Sequence, residues 1–274
     1  MIRDITIGQY YPAKSSIHRL DPRVKIVCTL LFLISLFVQN SILGYAIATV
    51  FLAVVIKVSK VPLKFIVRGL KAIVILLMFT VVMNLFLTKG GEEIFGFWIF
   101  HISEQGLRTS VFMAVRLIYL IMGSSLMTFT TTPNSLTDGI ESLLHPLNRF
   151  HVPVHEVAMM MSIALRFIPI LLEETDKIMK AQIARGADLE SGNIIQKTKA
   201  MVPILVPLFV SAFRRANDLA MAMEARCYCG GEGRTRMKPL IYKNRDYMAY
   251  TVTVVYLVLI IGIGRFVPFK LWIF

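Results

Sequence analysis

The chain has 274 residues, 56% of them hydrophobic, with a mean hydropathy of +0.66. These values exclude an ordinary soluble domain and point to an integral membrane protein. In such a protein the net charge of +13 reports loop topology rather than nucleic-acid binding.

The first apolar run begins near Val24, after a mixed polar stretch, so no cleavable signal peptide is expected. Runs long enough to span a bilayer are Val24–Gln39, Ile42–Val58, Ala72–Leu87, Leu107–Phe129 and Tyr247–Gly264. The first is short against the ~20 residues a span needs. The first connection, Gln39-Asn40-Ser41, is uncharged, whereas the second carries Lys57, Lys60, Lys64, Arg68 and Lys71. The third, Thr88–Gly106, holds Glu92, Glu93 and Glu104 with Phe95, Phe97, Trp98 and Phe100. The positive-inside bias puts the N-terminus and the basic connection in the cytoplasm, and the aromatic connection outside at headgroup level. Five spans then leave the C-terminus outside.

Residues 130–246 behave differently. They carry 15 Lys/Arg and 12 Asp/Glu, too many for a segment embedded in lipid throughout. Pro133–Arg149 reads as a short helix, ended or kinked at His145-Pro146. Val154–Arg185 reads as a longer helix, with Pro169 at its middle. Ile194–Arg226 reads as another, with Pro203 and Pro207 near its start. Gly186, Gly230, Gly231 and Gly233 follow the last two as stop signals. The expected organisation is therefore all-α and polytopic. Residues 1–130 hold four transmembrane helices, 131–246 a cytoplasmic helical domain, and 247–274 a last transmembrane helix.

The two long helices end alike, at Ala184-Arg185-Gly186 and Ala225-Arg226-Cys227, 41 residues apart. An arginine at a helix tip presents a fork of donors to another molecule. Two similar tips suggest two similar partners. With the arginines superposed, only Ala181/Ala222 and the Ala-Arg pairs are identical over the preceding ten residues, a weak internal repeat.

Several chemistries are absent. No Gly-x-x-x-x-Gly-Lys-Ser/Thr loop is present, and Gly230-Gly231-Glu232-Gly233 lacks the lysine, so no P-loop nucleotide site is expected. No spanning segment contains Asp or Glu, which disfavours a self-sufficient ion-coupled permease. An intramembrane enzyme would need a nucleophile or metal constellation at membrane depth, and the hydroxyls in the spans lack a neighbouring His or acid in sequence. His151 and His155, with Glu156 adjacent, have a metal-binding spacing, but Pro153 starts the helix between them; Cys227-x-Cys229 lacks a second ligand pair. No metal or cofactor is expected on this chain. Arg116 lies mid-way through the fourth span, ~13 Å from Leu107 at ~1.5 Å per residue. It must face protein or water, as an anchor or a hydrogen-bonded structural residue, with Asn84, Ser124, Ser125 or backbone carbonyls as candidate partners. The run Met159-Met160-Met161, with Leu165, is either core or an adaptable surface.

Taken together, these residues resemble a known family. Gly8-Gln9-Tyr10-Tyr11-Pro12, the string Ser16-Ile17-His18-Arg19-Leu20-Asp21-Pro22-Arg23-Val24-Lys25, Arg166-Phe167-Ile168-Pro169 and the two Ala-Arg-x tips are similar to the T component of energy-coupling factor (ECF) transporters, over nearly the whole chain and in the same order. The resemblance implies a non-catalytic membrane subunit. It joins two cytoplasmic ABC-type ATPases, which hold ATP and Mg, to an S component that captures a vitamin or other micronutrient. It also implies that the two long helices cross beneath the membrane of a bacterial or archaeal cell. Arg185 and Arg226 would then each enter a groove on one ATPase. Met159, Met160, Met161 and Leu165 are candidates for the S-component platform.

Overall fold

The structure, a computed structural model, describes residues 10–39, 41–71, 73–87, 93–97, 100–187, 193–230, 237 and 239–266. Its elements in chain order are α1 (Pro22–Val38), α2 (Ile42–Ser59), α3 (Leu63–Lys71), α4 (Val74–Leu87), β1 (Glu93–Phe97), β2 (Phe100–Ser103), α5 (Glu104–Thr130), α6 (Pro133–Leu144), a 3-10 turn (His145–Phe150), α7 (Val154–Ala184), α8 (Ile194–Glu224) and α9 (Asn244–Phe266). The chain is an all-α polytopic membrane protein. Among the described residues the one departure is the hairpin β1–β2, antiparallel with Gly96 opposite His101 and Phe97 opposite Phe100. It lies within the third connection, Thr88–Gly106; the aromatic side chains expected there at headgroup level fall outside the described set, as do Gly231 and Gly233.

Helices α2, α5, α7 and α9 are each long and apolar enough to cross a bilayer, and α3 with α4 adds a fifth such unit, bent by 61°. Helix α1 has 17 residues, short of a full span when straight. The apolar character of α7 is confined to its first half; its second half carries Glu173, Glu174, Asp176, Lys177 and Lys180.

The chain divides into two compact units, one of residues 10–139 with 240–266, the other of 140–239. In the first, α5 packs on α1, α3 and α4, and α9 packs on α1 and α2. Its core joins Phe32 and Leu36 of α1, Ala48, Leu52 and Ile56 of α2, Ile66 of α3, Leu126 and Phe129 of α5, and Tyr256 and Ile260 of α9. Phe51 stacks on Tyr256 with centroids 4.3 Å apart. The Tyr256 hydroxyl meets Ser35 Oγ at 2.9 Å, so this buried phenol keeps a partner. A Cβ at Gly123 would lie 2.8 Å from Phe32, which makes glycine the residue that lets α5 close on α1. The outward faces are apolar, with Ile75 and Phe79 of α4 and Val254, Val258 and Ile261 of α9 exposed. That is the exterior lipid requires.

The string His18–Lys25 is a polar knot at the foot of this unit. Asp21 caps α1 by accepting from Arg23 N at 2.9 Å, and Pro22 supplies the fixed φ of the first turn. The Asp21 N–H donates to Asp246 Oδ1 at 2.9 Å, and Asp246 Oδ2 accepts from Lys243 N at 2.8 Å. Lys25 Nζ donates to the carbonyls of Thr130 (2.7 Å) and His18 (3.2 Å). Arg23 donates to Leu240 O at 2.7 Å and lies over the Tyr242 ring. Charged groups buried here are thereby bonded, as burial demands. One short stretch ties the starts of α1 and α9 to the end of α5.

Candidate functional site

The second unit is built on α7 and α8, 31 residues each. Asn193 opens α8 with a capping box: its side chain accepts from the backbone of Gln196, whose side chain accepts from Asn193 N. Pro169, Pro203 and Pro207 lie inside the two helices and each removes one helical hydrogen bond. Pro207 leaves the carbonyl of Pro203, four residues back, without its helical donor. Gln182 Nε2 of α7 donates to that carbonyl at 3.2 Å.

A second contact joins the helices nearer their middles. Glu174 Oε2 accepts from Arg215 Nη2 at 2.8 Å and from Nε at 3.2 Å, and Glu174 Oε1 accepts from the Ser211 hydroxyl. The Ser211 bond is the larger cause, with Arg215 behind it, holding the Glu174 carboxyl below the ordinary carboxylate range against partial burial. Contacts ascend α8 as they descend α7, so the helices pass in opposite directions. Glu174 and Arg215 are themselves 41 residues apart, the spacing of the two tips. Each lies 11 residues before its own tip arginine, ~16 Å of helix. The interhelical lock is therefore equidistant from both tips.

The tips share one backbone geometry. At the first, Gly186 N bonds Ile183 O at 2.9 Å and Ala187 N bonds Gln182 O at 3.0 Å; at the second, Cys227 N bonds Glu224 O at 2.9 Å and Tyr228 N bonds Met223 O at 3.1 Å. Both are Schellman closures, with the residue after the arginine left-handed: φ is 88° at Gly186 and 55° at Cys227. Ala184, Arg185 and Gly186 are exposed, as are Ala225, Arg226 and Cys227. Glycine takes this conformation without strain, whereas cysteine does not.

Helix α8 carries an unpartnered apolar stripe. Val202, Val206, Phe209 and Phe213 recur at helical spacing and are all exposed, Phe213 at 67%. On α7, Met160 and Met161 are exposed, while Met159 and Leu165 are half-buried. His151 closes the 3-10 turn in a left-handed conformation, before α7 begins, and His155 Nδ1 lies 3.0 Å from Glu141 Oε1. The two histidines do not share a helix face.

Arg116 sits in the first unit. Its Nε donates to the Tyr45 hydroxyl at 3.1 Å and its Nη2 to Gln39 O at 3.2 Å, with the guanidinium over the Phe37 ring. It thus anchors α5 to the corner between α1 and α2 through a backbone carbonyl and a phenol. Of the other side chains considered from sequence, Asn84 and Ser124 are turned onto their own helices: Asn84 donates to Thr80 O and Ser124 to Ile121 O.

Sequence reasoning located the tips but missed the lock. The signal for the lock was present: an acid and a base at equivalent positions of the repeat, just before the aligned stretch.

Residues 13–237 match the family described as cobalt transport protein (CbiQ). A protein of Clostridium kluyveri named energy-coupling factor transporter transmembrane protein EcfT is 60% identical over 250 residues, 91% of this chain and 93% of its own length. Proteins of the same name from Brevibacillus brevis and Bacillus subtilis are 50% and 48% identical, covering 97% and 90% of this chain and 100% and 93% of their own lengths.

Proposed function

Since the chain belongs to the cobalt transport protein family, as the transmembrane component of an energy-coupling factor transporter, we propose that it transmits ATP-driven motion from two cytoplasmic ABC-type ATPases to a substrate-binding S component, for uptake of a vitamin or other micronutrient. The observation that carries this reading is the pair of tips. Two exposed arginines stand on helix closures of the same Schellman type, at equal distances along their helices from one lock. Such a device suits two like partners. Each guanidinium offers a fork of donors to a carboxylate or carbonyl cluster on an ATPase.

In this reading, residues 131–246 face the cytoplasm with the basic α2–α3 connection and the N-terminus, and the C-terminus lies outside. ATP and Mg reside on the ATPases, and this chain contributes no catalytic group. Closure of the ATPase dimer displaces the tips, and the helices rotate about the contacts of Glu174 with Ser211 and Arg215. The exposed stripe of α8, with Met160 and Met161 of α7, forms the surface that moves against the S component. Met159 and Leu165 support it from the half-buried side. Pro169, Pro203 and Pro207 supply the bends along which the helices yield.

The test is co-purification from membranes. Arg185→Ala or Arg226→Ala should reduce ATPase recovery, and the double variant should reduce it further, each contact contributing ~1.5–3 kcal/mol. Met160→Asp should instead release the S component while the ATPases stay bound, because it desolvates a carboxylate without a partner. Wild-type ATPase recovery in the double arginine variant contradicts the assignment of the tips. Proportional loss of all subunits from Met160→Asp removes the methionines from the interface.

A further inference from the structure

We propose that the corner between α2 and α3 is a binding site for a phospholipid with a net-anionic headgroup. The first observation is a groove of about 550 Å³ beside α2. Its walls are Leu52, Ala53 and Ile56 of α2 with Tyr119 and Met122 of α5, and Lys57 and Lys60 stand at its α3 end. An apolar channel along a membrane helix, ending in cations, has the form of an acyl chain with its headgroup.

The second observation is the backbone at Lys60. It ends α2 with φ at 57°, the left-handed conformation, its N–H bonded to Lys57 O at 3.4 Å. Glycine or asparagine holds such a position without comparable strain. A lysine is held there instead, exposed and three residues from Lys57.

The third is α3 itself. Its buried Ile66 anchors it to the core, while Lys64, Arg68 and Lys71 recur along one exposed face and Leu63 and Val67 along the next. A short helix with adjoining apolar and basic stripes lies in the plane of a membrane interface. The 61° break before α4 allows α3 to lie flat while α4 crosses. Between Asp21 and Glu92 the sequence holds no carboxylate, so the five cations from Lys57 to Lys71 have no acid on their own segment. Their natural complement is an anionic headgroup, and the membrane supplies one at that depth.

Native mass spectrometry of the purified full chain tests this. Phosphatidylglycerol and phosphatidylcholine with the same acyl chains are titrated in parallel, with glycerol phosphate as the soluble headgroup alone. Phosphatidylglycerol should be retained at least ~fivefold more tightly than phosphatidylcholine, an amount that one lysine near a charged surface supplies. Lys57→Gln with Lys60→Gly should abolish that preference without lowering the melting temperature, since glycine relieves the left-handed strain; Lys60→Asn provides a second variant with the same backbone tolerance. Lys197→Gln with Lys199→Gln should leave the preference intact. Equal retention of the two lipids overturns the proposal. So does a preference that survives loss of Lys57 and Lys60, or one lost equally in the Lys197 and Lys199 variant. Displacement of lipid by glycerol phosphate alone marks a free-phosphate site and also overturns it.

Discussion

Removing the Glu174 carboxylate should loosen α7 from α8 by an amount the structure sets. It accepts two guanidinium N–H bonds from Arg215 and one from the Ser211 hydroxyl. A buried hydrogen bond to a charged group contributes ~1.5–3 kcal/mol, and an exposed ion pair ~0.2–1 kcal/mol. Here the Arg215 side chain is 41% exposed and Glu174 21%, so solvent screens the pair and the lower range governs. The coupling between Glu174 and Arg215 is then ~1 kcal/mol, with a comparable contribution from Ser211 lost as well in Glu174→Ala. A double-mutant cycle of Glu174→Ala and Arg215→Ala isolates the pair. Hydrogen exchange over residues 170–182 and 203–218 reads it out. About 1 kcal/mol corresponds to ~fivefold faster exchange through local opening. Glu174→Ala alone should approach the double variant, whereas Arg215→Ala keeps the Ser211 bond and should lose less, and Arg185 and Arg226 should remain exposed throughout. Strictly additive effects, with no coupling energy, would refute a lock between the helices.

Acid should act on the same contact. The Glu174 carboxyl is held below its ordinary range, so its contribution is complete above the usual Glu value of ~4.3 and fades only as pH falls through the lower folded value. Exchange protection in α7 should stay flat from neutrality to that region and drop beneath it, and Glu174→Gln should remove the dependence. Cys227→Gly should stabilise the second tip by ~1 kcal/mol, read as slower exchange at residues 222–228, because it relieves a left-handed cysteine. Cys227→Val should have the opposite sign. Arg116→Leu should lower the melting temperature in detergent by the equivalent of ~1–3 kcal/mol, since Tyr45 and Gln39 lose their donor, and Arg116→Lys should not restore it because one ammonium cannot reproduce the fork.

Much of this architecture was legible in the residues. Long apolar runs fixed α1, α2, α4, α5 and α9 to within a few positions, because a bilayer tolerates only continuous apolar helices of a set length. Gly186 announced the end of α7 through local backbone chemistry. The tips were visible as repeated tripeptides. Their shared closure was not, since Cys227 in a left-handed position contradicts its own propensity and depends on the 228-to-223 bond. The hairpin β1–β2 was hidden by a segment whose charges and aromatics mark a connection without fixing its pairing. A backbone carbonyl was among the partners expected for Arg116, but its identity as Gln39 O, and the Tyr45 hydroxyl beside it, were hidden because both lie outside α5. The contact of Gln182 with Pro203 O needed two prolines four apart, a pattern whose outcome depends on which donor arrives. Glu174 and Arg215 needed only the repeat spacing carried two residues further back.

Site-specific photocrosslinking tests the coupling claim most directly. A benzophenone amino acid replaces Arg185 or Arg226 in turn, in membranes that contain the assembled transporter. The account predicts that both positions crosslink to ATPase subunits and that a probe at Phe213 on the α8 stripe crosslinks to the S component. Crosslinks from either tip to the S component or to lipid, with none to an ATPase, would contradict it.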